Sequence, residues 1–329
     1  MQQPPTLDEL PEAPPGKVGW PWTKGGTPLP SAMPNGHAWP RISIVTPSYN
    51  QGAFIEETIR SVLLQGYPNL EYIVADGGST DNTLAILRRY ERWLGRSISE
   101  PDNGQADAIN KGFRGTSGSI MAWLNSDDCY TRDSLGYVAA YFCLRPAAKV
   151  VTGFRRNADE ASVRRNTLRV YLTPDAYSLS RCCYIAQEST FWRRSLWEAV
   201  GGLDESYRFA LDFDLWQRIL RAGFEFDLLP KFLGVFRIHP DSKGSRWAAI
   251  REQELARIYQ EYLGTMKSEL ELWSEMSPKW WRRVALLHSL GRRGLLDTLP
   301  LARALVRALS LRGDDIKNLT RQPVRFAFE

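Results

Sequence analysis

Arg41-Ile-Ser-Ile-Val-Thr-Pro-Ser-Tyr-Asn50 is where the chain changes character. Arg41 to Thr46 is a β-branched run, and Phe54, Thr58, Ile59, Val62 and Leu63 then recur at helical spacing. The alternation continues with Leu70-Glu-Tyr-Ile-Val-Ala75 as strand, Asn82 to Leu94 as helix and a short strand around Ser97 to Ser99. A helix over Gln105 to Phe113 and an apolar strand from Ile120 to Leu124 complete the series. Strands alternating with helices imply right-handed βαβ units and a mostly parallel sheet. Functional residues then belong on loops at the carboxyl ends of the strands.

Before this stretch, ten of the 20 prolines fall within the first 40 residues, interleaved with Gly, Trp20, Trp22 and Trp39. Proline fixes φ and cannot donate to a ladder, so residues 1–40 read as an extended arm lying on a surface. After it the pattern loosens: a helix over Ser134 to Cys143, a strand at Val150, a basic polar excursion from Arg155 to Arg169, and helices over Ser195 to Val200 and Asp212 to Arg221. Phe224 to Leu229 and Phe232 to Ile238 read as two strands, and Leu255, Ile258, Tyr259 and Tyr262 share one helical face.

The 329 residues carry a formal charge of +5, unevenly placed. From Pro278 to Glu329 eleven basic residues face four acidic ones, so these 52 residues hold +7 and the other 277 sum to −2. The basic balance is therefore no argument that the main body binds nucleic acid. Hydrophobic residues at 43% and charged ones at 24% exclude disorder and fibrous repeats for most of the chain. Four cysteines (Cys129, Cys143, Cys182, Cys183) form no Cys-x-x-Cys pair and no disulfide framework, so reduced buried thiols are expected. Met1-Gln-Gln-Pro-Pro lacks a basic region followed by an apolar run, and no 18 consecutive apolar residues occur. A cytoplasmic location, or one on the inner face of the plasma membrane, is expected.

Acidic residues gather at strand ends in three places: Ala75-Asp-Gly-Gly-Ser-Thr-Asp81, Trp123-Leu-Asn-Ser-Asp-Asp128 and Ala210-Leu-Asp-Phe-Asp-Leu-Trp216. A single Asp in such a place also serves as a helix cap or turn residue, and Asp81 and Asp214 read either way. The adjacent Asp127 and Asp128 are harder to dismiss, because like charges so close repel unless a cation offsets them. Mg²⁺ or Mn²⁺ suits such a pair, completed by substrate phosphates. The turn Thr46-Pro-Ser-Tyr-Asn-Gln-Gly52 has one glycine and no Gly-Lys-Ser/Thr, so neither a P-loop nor a dinucleotide fingerprint competes. A ligand phosphate here needs a metal, which points to a nucleoside diphosphate attached to something.

Val45-Thr-Pro-Ser-Tyr-Asn50, Asp76-Gly-Gly-Ser-Thr-Asp81, Ser99-Glu-Pro-Asp-Asn-Gly104 with Ala108-Ile-Asn-Lys-Gly112, Asn125-Ser-Asp-Asp128 and Leu211-Asp-Phe-Asp-Leu-Trp216 follow one another in an order that resembles the family-2 inverting glycosyltransferases of GT-A fold. The likeness runs over about two-thirds of the chain and is nearest to bacterial enzymes of surface-polysaccharide assembly. It implies an α/β, Rossmann-like, mostly parallel sheet flanked by helices, with a C-terminal helical extension. A nucleotide-sugar half (41–130) and an acceptor half (131–245) would follow the arm and precede a helical, basic region (246–329).

Position by position, the resemblance implies that Thr46, Pro47, Tyr49, Asp76 and Ser79 serve the nucleotide. Tyr49 would flank the base, and Asp76 would accept from its imino group, which favours a UDP donor. Asp107 and Lys111 lie near the sugar nucleotide or form a plain intrahelical ion pair. Asp127 goes to the ribose or donor sugar, Asp128 to the metal, and His239 completes the metal shell or is simply a packed imidazole. Asp212 is implied as the catalytic base, although Leu211 stands where the family often has Glu. Gln187 and Glu188 are candidate acceptor contacts, and Trp192 and Trp216 are sugar platforms or core. The acceptor is expected to be a glycan or a lipid-linked one.

Trp280, Trp281, Val284 and Leu287 beside Arg282 and Arg283, and Leu301, Ala304, Leu305, Ala308 and Leu309 opposite Arg303 and Arg307, form two apolar stripes. Tryptophans next to arginines favour peripheral membrane contact over nucleic acid, and the pair equally suits protein docking or an oligomer. Two rivals remain. A sugar-nucleotide pyrophosphorylase should show a glycine-rich loop with Arg and Lys after the first strand, and a catalytically silent scaffold should lack Asp127, Asp128 or Asp212.

Overall fold

The structure is a computed structural model describing residues 3–160, 164–169 and 174–292. Its first half alternates β1 (Ile42–Ser48), α1 (Ile55–Leu63), β2 (Leu70–Asp76), α2 (Thr83–Tyr90), β3 (Arg96–Ser99), α3 (Gln105–Phe113) and β4 (Ile120–Trp123). Then come β5 (Cys129–Tyr130), α4 (Ser134–Leu144), β6 (Val150–Ala158), β7 (Arg164–Arg169), α5 (Ala176–Arg181), β8 (Thr190–Arg193), α6 (Arg194–Val200), α7 (Leu211–Arg221) and β9 (Phe226–Arg237). Helices α8 (Lys243–Arg246), α9 (Ala248–Leu263), α10 (Glu269–Ser274) and α11 (Pro278–Arg292) follow. One α/β sheet runs β3-β2-β1-β4-β8-β6-β9-β5, with β7 on β6.

All seven residues of β1 are buried because the strand is covered on both faces. Ile42 and Ile44 pack with Ile59, Val62 and Ile86 of α1 and α2, whereas Val45 packs with Ile109 and Phe113 of α3 and with Trp216 of α7. Gly112 is required on α3, because a Cβ there would sit 2.5 Å from Val45 Cγ1. From β3 to β4 every pairing is parallel. Beyond β4 the sheet is mixed: β8 is antiparallel to both β4 and β6, while β9 is parallel to β6.

Two expectations change here. The strands read at Phe224 to Leu229 and Phe232 to Ile238 are one twelve-residue strand, β9. Pro230 reads as a break in sequence, but the β6 partner shifts register on either side of Phe154, and proline is tolerated at such an irregularity. The basic excursion is a strand pair, with β7 antiparallel to β6. A charged edge strand carries little of the apolar alternation that marks a strand in sequence. Of the four free cysteines Cys129 and Cys182 are buried, whereas Cys143 is exposed.

The proline-rich arm is built into the body. Leu10, Met33 and Trp39 join the core formed by Ile42 and Ile44, and Trp22 is also buried. Gly26 N donates to Leu64 O at 3.0 Å and Thr27 N to Asp133 Oδ1 at 3.0 Å. At its centre stands Arg60 of α1, 1% exposed, donating to the carbonyls of Pro11, Pro21 and Trp22 and to the Tyr90 hydroxyl. An arm rich in proline has few backbone donors for its own carbonyls, and one guanidinium satisfies three carbonyls of the arm. Arg60→Met should cost about 3 kcal/mol of stability, since it strips several charge-assisted hydrogen bonds at once. Urea unfolding checks this, and a loss under about 1 kcal/mol would refute the anchoring role.

On the C-terminal side, Leu255, Ile258 and Tyr259 of α9 are buried, as the shared face required. Trp280 packs edge-on to Tyr184, while Trp281 is 37% exposed. The Leu287 side chain and the stripe from Leu301 to Leu309 lie outside the described residues. Among the described residues no helix is long and apolar enough to cross a membrane.

Candidate active site

Strand register sets the site. Ser48 pairs with Asp76 and Asp76 with Ser99, so β1, β2 and β3 end level with one another. Leu124 N donates to Val45 O, which brings the Asn125–Asp128 turn to the same edge. Because β8 is antiparallel to β4, its beginning lies there too, and Gln187 Nε2 donates to Trp123 O at 2.8 Å. A cleft of about 520 Å³ opens over this edge, lined among others by Pro47, Tyr49, Gln105, Asp127, Asp212 and Lys243. A donor-sized ligand fits a cleft of that volume. A smaller cavity of about 250 Å³ lies at the opposite ends of β1 to β3, by Arg41, Trp93 and Arg96.

On the nucleotide side Tyr49 is 60% exposed at the cleft, free to lie against a flat ring. Thr46 is buried and shares a 3.0 Å hydrogen bond with the Tyr72 hydroxyl, so it supports the floor. Asp76 is 2% exposed, and its carboxylate accepts from the Gly78 and Ser79 N–H groups and from the Ser79 and Ser99 hydroxyls. These four bonds use the acceptor capacity of a carboxylate, so in this conformation Asp76 shapes the Gly77–Ser79 turn. Asp81 accepts from Thr83 N and Gly52 N, as a helix-start residue does. Asp107 and Lys111 form an intrahelical ion pair at 3.2 Å, and Asn103 N donates to the same Asp107 oxygen.

The two adjacent carboxylates are turned in different directions. Asp128 is 1% exposed, and its Oδ1 accepts from Arg237 N at 3.0 Å. Burial, then the neighbouring Asp127 and Glu188 charges, raise its pKa well above the usual carboxylate range. Asp127 instead lines the cleft, with Oδ2 3.1 Å from His239 Nε2. His239 is held against the Phe54 ring, centroids 4.5 Å apart. Arg237 locks the turn, its Nε donating to Asp127 O, while Thr58 Oγ1 donates to the Ser126 and Asp128 carbonyls. Asp127 thus turns its carboxylate to the cleft, whereas Asp128, the expected metal ligand, is turned onto the Arg237 backbone. Among the described residues no group of three or more His, Cys, Asp and Glu side chains is arranged to hold a metal ion. Asp127 and His239 are the paired side chains at this turn that could contribute to holding a divalent ion.

Across the cleft, Asp212 sits in the first turn of α7. Its Oδ1 accepts from Phe213 N at 2.8 Å, and its second oxygen has no protein partner among the described residues. Burial pushes its pKa up to about 6, against that hydrogen bond. Asp214, two residues on, is spent on Arg218 at 2.8 Å and on the Tyr262 hydroxyl at 3.0 Å. Glu188 is buried beside Arg155, at 3.8 Å. Trp192 and Trp216 are core: with Trp123 they form one aromatic cluster of 5.3–6.3 Å centroid spacings.

Residues 43–197 match the family model for glycosyl transferase family 2. This chain carries a family-2 glycosyltransferase domain. A putative teichuronic acid biosynthesis glycosyltransferase, TuaG, of Bacillus subtilis is 36% identical over 126 residues, which is 37% of this chain and 50% of that protein. A PGL/p-HBAD biosynthesis glycosyltransferase of Mycobacterium tuberculosis is 29% identical over 54% of this chain and 68% of its own. Among solved structures, S. aureus TarS 1-349 in complex with UDP-GlcNAc aligns with a TM-score of 0.55 at 16% identity, over 78% of this chain and 88% of that one. The mannosyltransferase PcManGT of Pyrobaculum calidifontis, in complex with GDP-Man and Mn²⁺, aligns at 0.52 and 22%, over 86% and 79%. Both share the GT-A fold expected from the motif order.

Asp212, His239 and Lys243 lie beyond the family match, so their places rest on the geometry. Lys243 was not singled out from sequence, although it stands four residues after His239. Its Nζ donates to Gln105 Oε1 and to Arg208 O, and Gln105 Nε2 donates to Asn125 Oδ1 at 2.7 Å. Neither residue has a periodic or motif signal, because each reaches the cleft only through tertiary packing.

Proposed function

We propose that this chain is an inverting, metal-dependent glycosyltransferase. It moves a sugar from a nucleoside-diphosphate donor to a hydroxyl of a glycan or lipid-linked acceptor in cell-surface polysaccharide assembly. The observation that carries the proposal is one cleft lined by Asp212, whose pKa is raised, and by Asp127, whose Oδ2 lies 3.1 Å from the buried His239 Nε2. Relatives named for teichuronic acid and PGL/p-HBAD biosynthesis support the pathway class.

Asp127 and His239 would hold the divalent ion. When bound, Mg²⁺ or Mn²⁺ supplies positive charge to a departing diphosphate. Asp212 takes the proton from an acceptor hydroxyl while its oxygen attacks the anomeric carbon from the face opposite the diphosphate. One displacement inverts that carbon. Tyr49 covers the base, and Asp76 fixes the turn beneath it. UDP is the donor nucleotide we favour on the family resemblance, while the structural neighbours include both a UDP-GlcNAc and a GDP-Man complex.

Purified protein with Mn²⁺ should bind or slowly hydrolyse a sugar nucleotide from a panel of uracil- and guanine-linked donors, and EDTA should remove the effect. Donor binding that EDTA leaves unchanged would overturn the metal assignment, and a guanine preference would overturn UDP.

A further inference from the structure

Three cations line the cleft, and they are not alike. Arg155 lies 3.8 Å from Glu188, and Arg251 is paired with Glu269. Lys243 is different: its partners are the amide oxygen of Gln105 and the main-chain carbonyl of Arg208, both neutral. Among the described residues no carboxylate lies within ion-pairing distance of Lys243. An ammonium held this way gains hydrogen bonds but no compensating charge. Burial accordingly pulls its pKa down to about 8, although Asp127, Glu254 and Asp212 act to raise it.

The position is specific. Gln105 bridges Lys243 to Asn125, at the turn that carries Asp127. The Lys243 ammonium also lies over the Trp247 ring, 5.0 Å from its centroid, and both residues line the cleft. Exchanging a neutral partner for an anion leaves no carboxylate stranded, whereas recruiting Arg155 or Arg251 would.

We propose that Lys243 binds the diphosphate of the donor, trading its Arg208 carbonyl contact for phosphate oxygens beside the Asp127 turn. This rests on the donor reading above. The ammonium then offsets negative charge on the leaving group, and the donor pins the Asp241–Trp247 segment along the cleft wall.

The test is calorimetric titration with UDP, GDP, uridine and guanosine in the presence of Mn²⁺, on the wild type, Lys243→Met, Lys243→Gln and Lys243→Arg. Loss of one charge-assisted contact should weaken the preferred nucleoside diphosphate about 10- to 100-fold in the Met and Gln variants. The corresponding nucleoside should bind as in wild type, and Lys243→Arg should recover most of the diphosphate affinity. Equal weakening of nucleoside and diphosphate in both the Met and Gln variants would make Lys243 a mere brace for the segment and overturn the proposal, as would unchanged diphosphate binding. Wild-type protein that binds no diphosphate would instead bring down the donor reading itself.

Discussion

Asp212→Asn is expected to lower the rate of sugar transfer about 10³-fold while leaving donor affinity within a few-fold of wild type, because the amide keeps the shape but cannot accept the acceptor proton. Asp212 is the suitable base because it is both enclosed and underused: among the described residues its one hydrogen bond from another residue comes from the Phe213 N–H. Asp214 would fail in that role, since Arg218 and the Tyr262 hydroxyl hold both of its oxygens. The pH profile provides a second check. With its pKa raised by burial to about 6, Asp212 is ionised and competent above that value. The rate should therefore fall tenfold per unit as pH drops below 6 and level off above it. Transfer by Asp212→Asn within tenfold of wild type would rule the residue out, and so would a wild-type rate unchanged down to pH 4.5.

The second large effect separates two neighbours. Asp127→Asn should weaken Mn²⁺-dependent donor binding by about 100-fold, because it removes the cleft-lining carboxylate that contacts His239. Asp128→Asn should change the same affinity by less than about fivefold. Asp128 is buried and turned onto the Arg237 N–H, which can still donate to the Asn oxygen. Electron paramagnetic resonance of bound Mn²⁺ with calorimetry of the donor distinguishes the two. The reverse order of effects would return the metal to Asp128, the residue to which the family resemblance assigns it.

That pair shows where sequence and structure part company. Two adjacent carboxylates after an apolar strand announce a cation site in any reading of the chain, because their repulsion needs an answer. Which of them faces the cleft is set by the Arg237 N–H and His239, both more than a hundred residues away. Asp107 and Lys111 behave in the opposite way. Their four-residue spacing already allowed an ion pair, and that local contact is the one the structure shows.

The sequence by itself determined the alternation of β1 to β4 with α1 to α3, the edge on which loops gather, and the order of motifs that marks a family-2 glycosyltransferase. These are local properties: periodicity, strand composition and turn chemistry act over a few residues and survive in the unfolded chain's pattern. Only the tertiary structure decided that Pro230 lies inside one strand, that Arg60 binds the arm, that Asp127 faces the cleft while Asp128 is buried, and that Lys243 enters the cleft held by the Gln105 and Arg208 oxygens. Each depends on partners distant in sequence, whose burial and hydrogen bonds exist only once the sheet has brought them together.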